Sequence, residues 1–361
     1  MTGSSVVVRV LGPLPPPPHG VAMVTRHVLE RLREVDDARV VVHDTGAAPR
    51  TLPQRLRAML TGAVGLLAPT GARQRVYVAG AAGELLWFQL AVVGLARLLR
   101  HRAVFHHHTF SYLHERARVM ALLTRVGGPR LEHVVLCPEM GARLQELYPS
   151  ARTVTVCSNA GLLGPSEPRP ASSGAEETLV LGMLSNLTLE KGVATSIETL
   201  RRLLDAGVAA RLVLAGPCVG EEVERLVLDA VEDLAGHLEW LGPLDPAEVD
   251  GFYRGIDLFL LPSTYPTEAE PLVVLDASRH GVPSIVHATG CLRGMVGAGQ
   301  AIGLDDDFAD RATALVVDAA VEDPEQVVER FERRQASGRD ALASLLARLS
   351  GPSSAGRPSA S

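Results

Sequence analysis

The sequence predicts an α/β protein built from two doubly wound domains, each with a parallel sheet covered by helices on both faces. The chain has 361 residues, which exceeds the roughly 100–200 residues of one ordinary domain. Short β-branched runs alternate with stretches of helical periodicity along most of it. That alternation stops between residues 161 and 177, where Gly, Pro and Ser predominate. We therefore expect domains at residues 1–160 and 178–350, a linker at 161–177 and a disordered tail at 351–361.

In the first domain, the run SVVVRVL at residues 5–11 predicts a strand that ends at Gly12 and the following prolines. A helix is expected over residues 21–35, because Val24, Val28 and Leu32 recur at helical spacing. Further strands are predicted at residues 39–43, 75–78, 103–106, 134–136 and 153–156.

The second domain repeats this alternation. Ligands of doubly wound sheets bind beyond the carboxyl ends of the strands, so we expect the functional residues in the loops that follow them. The predicted strands are residues 178–184, 211–214, 238–241, 258–261 and 284–287, and the predicted helices are 193–206, 221–234, 247–254 and 272–280.

Charge is distributed unevenly along the chain. Residues 1–150 carry 18 arginines and 10 acidic residues, a balance of +8, and the remainder carries 17 basic and 31 acidic residues, a balance of −14. The two halves are therefore expected to face different partners, none of them a nucleic acid. Of the 35 basic residues, 34 are arginine and one, Lys191, is lysine.

No targeting or membrane-spanning segment is expected, and the sequence indicates a cytoplasmic protein. The apolar run at 85–99 is shorter than the roughly 20 residues of a membrane span and contains Gln89 and Arg97. Residues 52–67 carry Arg55 and Arg57 beside apolar residues. Together with the basic first half, this segment suggests peripheral contact with an anionic inner membrane face. An amphipathic core helix would explain the same pattern.

The most informative segment is DLFLLPSTYPTEAEPLVVLDASRHGVP at residues 257–283. Pro271 is placed to open a helix, Glu268 precedes it, and Asp276 lies eight positions after Glu268. Backbone amides from about Glu270 to Val273 would present the positive end of the helix dipole to a diphosphate. Alternatively, the two glutamates are capping acids and Asp276 is a solvated helix residue.

This segment resembles glycosyltransferase family 4, a set of retaining enzymes. The family pattern is E-x-x-P-L-x-x-x-E-A followed by G-x-P. The resemblance implies the GT-B fold, with two doubly wound Rossmann-like domains facing each other across a cleft. It also implies that the first acid lies near the donor sugar and that the second binds the ribose. In this chain the pattern is matched by Glu268, Pro271, Leu272, Asp276 (Asp in place of Glu), Ala277, Gly281 and Pro283.

A second segment, LVLGMLSNLTLEKGV at residues 179–193, resembles the family's G-R-L-x-x-E-K-G turn. Lys191 and Gly192 match, whereas Asn186 occupies the position of the arginine. The resemblance implies that Lys191 holds the donor diphosphate, and Asn186 can donate a hydrogen bond there without adding charge. A solvent-exposed lysine at the start of a helix is the alternative.

Two glycines and one histidine complete the predicted site. Gly242 follows a strand and, by resemblance, lies near the nucleotide base, while Gly20 matches half of a Gly-Gly loop. His108, in the run FHHHTF, aligns with a histidine that contacts the donor sugar. Because adjacent side chains on a strand point to opposite sides, the three histidines are not expected to bind one metal ion.

These residues predict a retaining transfer of sugar from a nucleoside diphosphate sugar to an unknown acceptor, such as a saccharide or a lipid-linked glycan. Lys191 and the helix amides would stabilise the departing diphosphate, while Glu268 and His108 would position the sugar. No metal or other cofactor is expected. The departures at Asn186 and Asp276 leave open a catalytically weakened GT-B subunit that binds a nucleotide or a partner, and a sugar-nucleotide epimerase is a further alternative. A dehydrogenase is disfavoured because no G-x-G-x-x-G follows the first strand.

Overall fold

The computed structural model describes residues 6–16, 20–35, 38–46, 60–61, 63–67, 74–168 and 178–351. The chain forms two compact units, one comprising Met1–Leu162 and Ser337–Ser361 and the other Leu163–Ala336. In the described residues, each unit contains a six-stranded sheet whose paired strands are parallel. The predicted fold class, two doubly wound α/β domains, is confirmed.

The sheet of the first unit has the strand order β2-β1-β3-β4-β5-β6. All seven residues of β1 are buried, and its one charged residue, Arg9, donates from Nε to Gln74 Oε1 at 2.7 Å. A Cβ at Gly12 would lie 2.8 Å from Ala79 Cβ and 2.9 Å from Thr25 Cγ2, so only glycine allows this close approach at the end of β1. The strands are β1 (Val6–Gly12), β2 (Ala38–Asp44), β3 (Gln74–Gly80), β4 (Arg102–His107), β5 (Leu131–Val135) and β6 (Thr153–Val156), and the helices are α1 (Gly20–Arg33), α2 (Leu85–Leu98), α3 (Ser111–His114), α4 (Arg118–Gly127) and α5 (Pro138–Leu147).

The sheet of the second unit has the order β12-β11-β10-β7-β8-β9. A hydrophobic core joins β7 and β8 to helices α6, α7 and α10. The strands are β7 (Leu179–Leu184), β8 (Ala210–Ala215), β9 (Leu238–Trp240), β10 (Leu258–Leu261), β11 (Ser284–His287) and β12 (Ala301–Ile302), and the helices are α6 (Val193–Asp205), α7 (Glu221–Asp233), α8 (Val249–Arg254), α9 (Leu272–Arg279), α10 (Phe308–Val317) and α11 (Pro324–Ser350).

The C-terminal helix α11 is the main feature that the sequence pattern did not predict. It begins in the second unit, yet its residues from Ser337 onward belong to the first unit, whereas the predicted second domain extended to residue 350. The reason is close packing within the first unit. A Cβ at Gly161 would lie 2.4 Å from the backbone of Gly338, and Arg348 Nη2 pairs with Glu132 Oε1 at 2.6 Å.

Most of the apolar run at residues 85–99 forms helix α2, which buries Gln89 along with Leu86, Val92, Val93 and Ala96. Across the described parts of the chain, no helix combines the length and apolar character needed to cross a membrane. Most of the predicted membrane-contact segment at 52–67, the second half of the linker at 169–177 and the tail from residue 352 lie outside the described residues.

Candidate active site

The turn that carries Lys191 packs against the loop after β10 and is hydrogen-bonded to it. Gly192 has a φ of +87°, and a Cβ there would lie 2.4 Å from the carbonyl oxygen of Pro262. Both the positive φ and the close approach therefore require glycine directly before α6. Across the same contact, the backbone N–H of Thr264 donates to the carbonyl oxygen of Glu190 at 2.8 Å. The E-K-G turn thus gives Lys191 a defined position at the carboxyl edge of the sheet.

Lys191 contacts Glu268 directly. Its Nζ lies 2.5 Å from Glu268 Oε2, and Ser263 Oγ donates to the same oxygen at 3.0 Å. The Nζ also lies 5.2 Å from the centroid of the Tyr265 ring, a cation–π distance. The Glu268 side chain is 9% exposed and that of Lys191 is 22% exposed. We call these four residues the Lys191 cluster; it is a shielded carboxylate that holds a partly accessible ammonium.

Ser263 and Tyr265 are members of this cluster that the sequence analysis did not select. Ser263 is fully buried, at 0% exposure, and lies just past the end of β10. A hydroxyl buried at the carboxyl end of a central strand must find a hydrogen-bond partner, and Glu268 provides one. The position of Ser263 just past a strand could therefore have marked it as a site residue. Its partner Glu268 could not be identified from the sequence.

Helix α9 begins beside Glu268 in the chain, with Pro271 as its extended capping residue and Leu272 as its first residue. The first amides of a helix have no intrahelical acceptor and carry the positive end of the dipole. The carboxylate of Glu270 is not available for a ligand in this arrangement. It is buried and accepts from Arg334 Nη1 of α11 at 2.9 Å. Of Glu270, only the backbone is therefore left for the predicted contact with a donor.

Asp276 lies in a different charged environment from Glu268. Its Oδ1 is 3.5 Å from Arg279 Nε, and burial raises the pKa of its carboxyl to about 6. Arg279 also contacts Asp250 Oδ1 at 2.5 Å and Glu167 Oε1 at 3.3 Å. The structure thus gives Asp276 an arginine neighbour that the sequence analysis did not include.

Among the described residues, Glu167, Asp250 and His280 form a group whose ligand atoms lie close enough for a metal ion. Both carboxylates in this group are already paired with arginine. Arg279 contacts each of them, and Arg254 Nη2 lies 2.8 Å from Glu167 Oε2. Because these guanidinium groups neutralise the carboxylates, we interpret the group as an ion-pair network.

The turns after β7, β8 and β9 contact one another through their backbones at the carboxyl edge of the sheet. We call this stretch of backbone the rim. A Cβ at Gly216 would lie 1.8 Å from the carbonyl oxygen of Ser185, and the N–H of Gly216 donates to the carbonyl oxygen of Gly242 at 2.7 Å. Gly242 has a φ of +71° and open space where a Cβ would project. Asn186 is exposed at this rim. The rim therefore offers backbone that a ligand can approach closely.

In the first unit, His108 directly follows β4. Its side chain is buried, and burial lowers its pKa to about 3, so the imidazole is neutral at ordinary pH. Its Nε2 has no hydrogen-bond partner among the described residues. His106 lies on the same side, with ring centroids 4.1 Å apart, while His107 contacts Tyr112 and His133 on the other side. The predicted alternation of the three histidines is confirmed.

Gly20 is the exposed first residue of α1. A Cβ added there would meet no atom of the described residues within 4 Å. The three residues before it, including His19, lie outside the described part of the chain. Among the described residues, none therefore fills the space beside Gly20 at the start of the helix.

Residues 166–337 match the family model of glycosyl transferases group 1, a range that nearly coincides with the second unit. The chain is similar to a GDP-mannose-dependent alpha-(1-6)-phosphatidylinositol dimannoside mannosyltransferase of Mycobacterium tuberculosis (strain ATCC 25177 / H37Ra), with 32% identity over 175 residues, 47% of this chain and 44% of that protein. It is also 32% identical over 152 residues to a D-inositol 3-phosphate glycosyltransferase of Corynebacterium jeikeium (strain K411), which covers 39% of this chain and 36% of that one. The alignments thus span less than half the length of these relatives.

Two solved structures resemble the chain over nearly its whole length. Anabaena Alr3699/HepE in complex with UDP and glucose matches with a TM-score of 0.64 at 14% identity, covering 94% of this chain and 97% of that one. The lipopolysaccharide outer core galactosyltransferase WaaB in its apo form matches with a TM-score of 0.68 at 16% identity, covering 94% and 99%. At these identities the likeness establishes the fold, and the predicted GT-B fold class is confirmed.

Proposed function

We propose that this chain is a retaining glycosyltransferase of the family 4 type, which transfers a sugar from a nucleoside diphosphate sugar to an acceptor. The observation that carries the proposal is the 2.5 Å contact between Lys191 Nζ and Glu268 Oε2. These residues are 77 positions apart in sequence, they come from the two motifs that resemble family 4, and both lie in the range matched by the family model.

The chemistry of transfer explains why an ammonium belongs at this edge. Breaking the bond between the anomeric carbon and the phosphate oxygen leaves negative charge on the departing diphosphate. Preorganised cations and helix amides aimed at that charge lower the barrier. Lys191 provides the cation, and the first amides of α9 after Pro271 provide the helix dipole. Asn186, where the family has arginine, adds a hydrogen-bond donor.

The Lys191 cluster can bind a diphosphate while Lys191 keeps its contact with Glu268. An ammonium has three N–H donors, and Glu268 accepts one of them. The side chain of Lys191 is 22% exposed, so the remaining donors can reach phosphate oxygens. Glu268 and Ser263 would hold Lys191 in place before the donor binds, which reduces the reorganisation needed during the reaction.

The remaining residues have proposed roles around the donor. Glu268 and the neutral His108 would hydrogen-bond sugar hydroxyls, and Asp276 would bind the ribose. Gly20 and Gly242 would allow the backbone to approach the ligand. Two observations motivate these roles. Among the described residues, no atom lies within 4 Å of a Cβ added at Gly20 or Gly242, and the Nε2 of His108 has no hydrogen-bond partner.

Guanine and uracil are the candidate nucleotide bases. One relative is described as GDP-mannose-dependent, while a solved neighbour holds UDP and glucose. We propose a saccharide or a lipid-linked glycan as acceptor, with peripheral membrane contact through the basic residues of 1–150 and a cytoplasmic location. Metal ions and other cofactors are not part of the proposed reaction.

A nucleotide panel tests this function. UDP, GDP, ADP and dTDP would be compared for thermal stabilisation, where a ligand at about 100 times its Kd adds about 2.7 kcal/mol. The sugar nucleotides of the selected base would then be assayed for release of nucleoside diphosphate, and the anomer of the product determined by NMR. We expect selective binding, release and retention. Selective binding without release would indicate the weakened subunit instead, and an absence of nucleotide binding would refute the proposal.

A further inference from the structure

In the first unit, the outer faces of helices α2 and α4 expose large apolar side chains. On α2, Trp87 is 57% exposed and Leu98 is 78% exposed, and on α4 Leu122 is 43% exposed. Trp87 and Leu98 are eleven positions apart, which is about three helical turns, so they lie on one stripe of α2. Ala91, between them on the same stripe, is exposed as well. Contiguous apolar surface of this kind marks an interaction site.

The two helices lie side by side, so these side chains belong to one surface. A Cβ at Gly94 would lie 3.5 Å from Val126 Cγ1, and a Cβ at Gly128 would lie 3.7 Å from Arg97 Nε. Both contacts join residues 31 or 32 positions apart, which means that α2 and α4 run parallel with a constant offset. That offset places Leu122 level with the middle of the apolar stripe on α2.

The apolar surface continues onto residues 63–67. Val64 and Leu67 are exposed in this segment. The imidazole of His101, which follows α2, hydrogen-bonds the backbone of Leu66 and so places the segment next to the C-terminal end of α2. This segment is the described part of the stretch in which the sequence predicts membrane contact.

The same surface is basic. Residues 85–131 contain seven arginines and a single acidic residue, Glu115. Arg100, Arg118 and Arg125 are exposed, and among the residues that the structure describes no carboxylate lies within ion-pair distance of them. The last two flank the exposed leucine of α4, one turn before it and one turn after it. Exposed apolar side chains are therefore surrounded by positive charge without acidic partners.

We propose that the outer surface of α2 and α4 binds an anionic lipid bilayer. We call it the α2/α4 surface; its residues are Trp87, Leu98, Leu122, Arg100, Arg118 and Arg125.

Each kind of side chain on the α2/α4 surface matches one layer of such a bilayer. Tryptophan is favoured at membrane interfaces because its ring is apolar and its N–H is polar. Leucine side chains enter the boundary of the acyl chains, and arginines are attracted to anionic headgroups. This surface would make the membrane contact of the proposed function, on which the proposal rests, although lipid binding itself requires no sugar transfer.

Co-sedimentation with vesicles tests the role of the arginines. The wild type should bind vesicles of equal parts phosphatidylcholine and phosphatidylglycerol, and should bind vesicles of phosphatidylcholine alone at least about tenfold more weakly. R118Q/R125Q should weaken binding to the anionic vesicles by about fivefold for each arginine removed. The matched control R225Q/R311Q removes two exposed arginines of the second unit and should bind as the wild type does.

A second pair of variants tests the apolar side chains. W87Q/L98Q should weaken binding to the anionic vesicles by about tenfold or more, because glutamine does not enter the acyl boundary. The matched control L228Q/V317Q replaces two exposed apolar residues of the second unit and should leave binding unchanged. Leu98→Gln alone, at the most exposed of these positions, serves if W87Q/L98Q fails to fold.

Trp87 also reports the contact directly. The chain has two tryptophans, so in a Trp240→Phe variant the emission comes from Trp87 alone. Anionic vesicles should shift this emission to shorter wavelength, because the ring moves from water into the membrane interface. Unchanged emission from vesicle-bound protein would overturn the proposal, since another surface would then be making the contact.

The remaining outcomes separate this proposal from its rivals and from the transferase function. It is also overturned if the wild type does not bind anionic vesicles, or if W87Q/L98Q and R118Q/R125Q bind them as strongly as their controls. A wild-type dimer in sedimentation equilibrium that W87Q/L98Q dissociates would identify a second copy of the chain as the occupant instead. Lys191→Ala should bind vesicles as the wild type does, so lipid binding would persist even if the nucleotide panel refutes sugar transfer.

Discussion

Replacing Lys191 with alanine is the sharpest test of the proposed site. The ammonium lies 2.5 Å from a carboxylate that is only 9% exposed, so its position is set before the donor arrives. Removing one preorganised group of this kind typically costs about 2–4 kcal/mol of transition-state stabilisation. We therefore expect kcat to fall by about 30- to 900-fold.

The variant also has a structural cost that must be separated from the catalytic one. Without Lys191, Glu268 keeps its hydrogen bond from Ser263 but loses its cation. The expected loss of stability is about 1–3 kcal/mol, which thermal denaturation would detect. Arg202→Ala is a matched control, because Arg202 lies on the same helix α6, near its other end, and pairs with Glu198 at 2.9 Å. We expect this control to keep wild-type kcat.

The assay is release of nucleoside diphosphate from the donor selected by the nucleotide panel. Lys191→Arg keeps the charge in a broader fork and should restore part of the rate. Lys191 is the single lysine of the chain, so amine-reactive labelling followed by peptide mapping reports on it directly. Bound nucleoside diphosphate should slow that labelling. Unchanged kcat in the alanine variant, or equal labelling with and without saturating nucleotide, would refute the role of Lys191.

Three further predictions concern other site residues. Glu268→Gln should lower kcat by about a hundredfold with the fold intact, because it keeps a partner for Ser263 but removes the charge; a wild-type rate would contradict this. His108→Ala should impair sugar transfer but leave the Kd for nucleoside diphosphate within about twofold, whereas equal losses would indicate a structural role. Burial raises the pKa of Asp276 from 3.8 to about 6, so the folded state binds this proton more tightly than the unfolded chain, and the resulting stability is lost as pH rises through about 6. The free energy of unfolding of Asp276→Asn, relative to that of wild type, should therefore rise by about 2 kcal/mol between about pH 4.5 and about pH 7.5. Urea unfolding followed by Trp240 fluorescence in a Trp87→Phe background measures it. An equal difference between variant and wild type at both pH values would contradict the pKa shift.

The sequence alone determined the fold class, because period-2 and period-3.6 patterns record which residues are buried in each strand and helix. The run from residue 5, for example, predicts β1 to within one residue at each end. The same patterns located the strand ends, where the loops with Lys191 and Glu268 lie. Two elements near the end of the chain were missed because they lack such a signal. The strand β12 has two residues, and α11 is a largely polar helix whose burial is divided between two units.

Only the tertiary structure decided which of these residues meet. Lys191 and Glu268 are 77 positions apart, and Glu270 and its partner Arg334 are 64 apart. Local periodicity specifies that a side chain is buried, but its partner depends on strand order and on how helices pack over the sheet. In the first unit, the register of β3 and β4 likewise places Arg75 beside Arg102. A hydrogen bond or an ion pair between distant segments forms only after the chain has brought those segments together, so no local pattern encodes it.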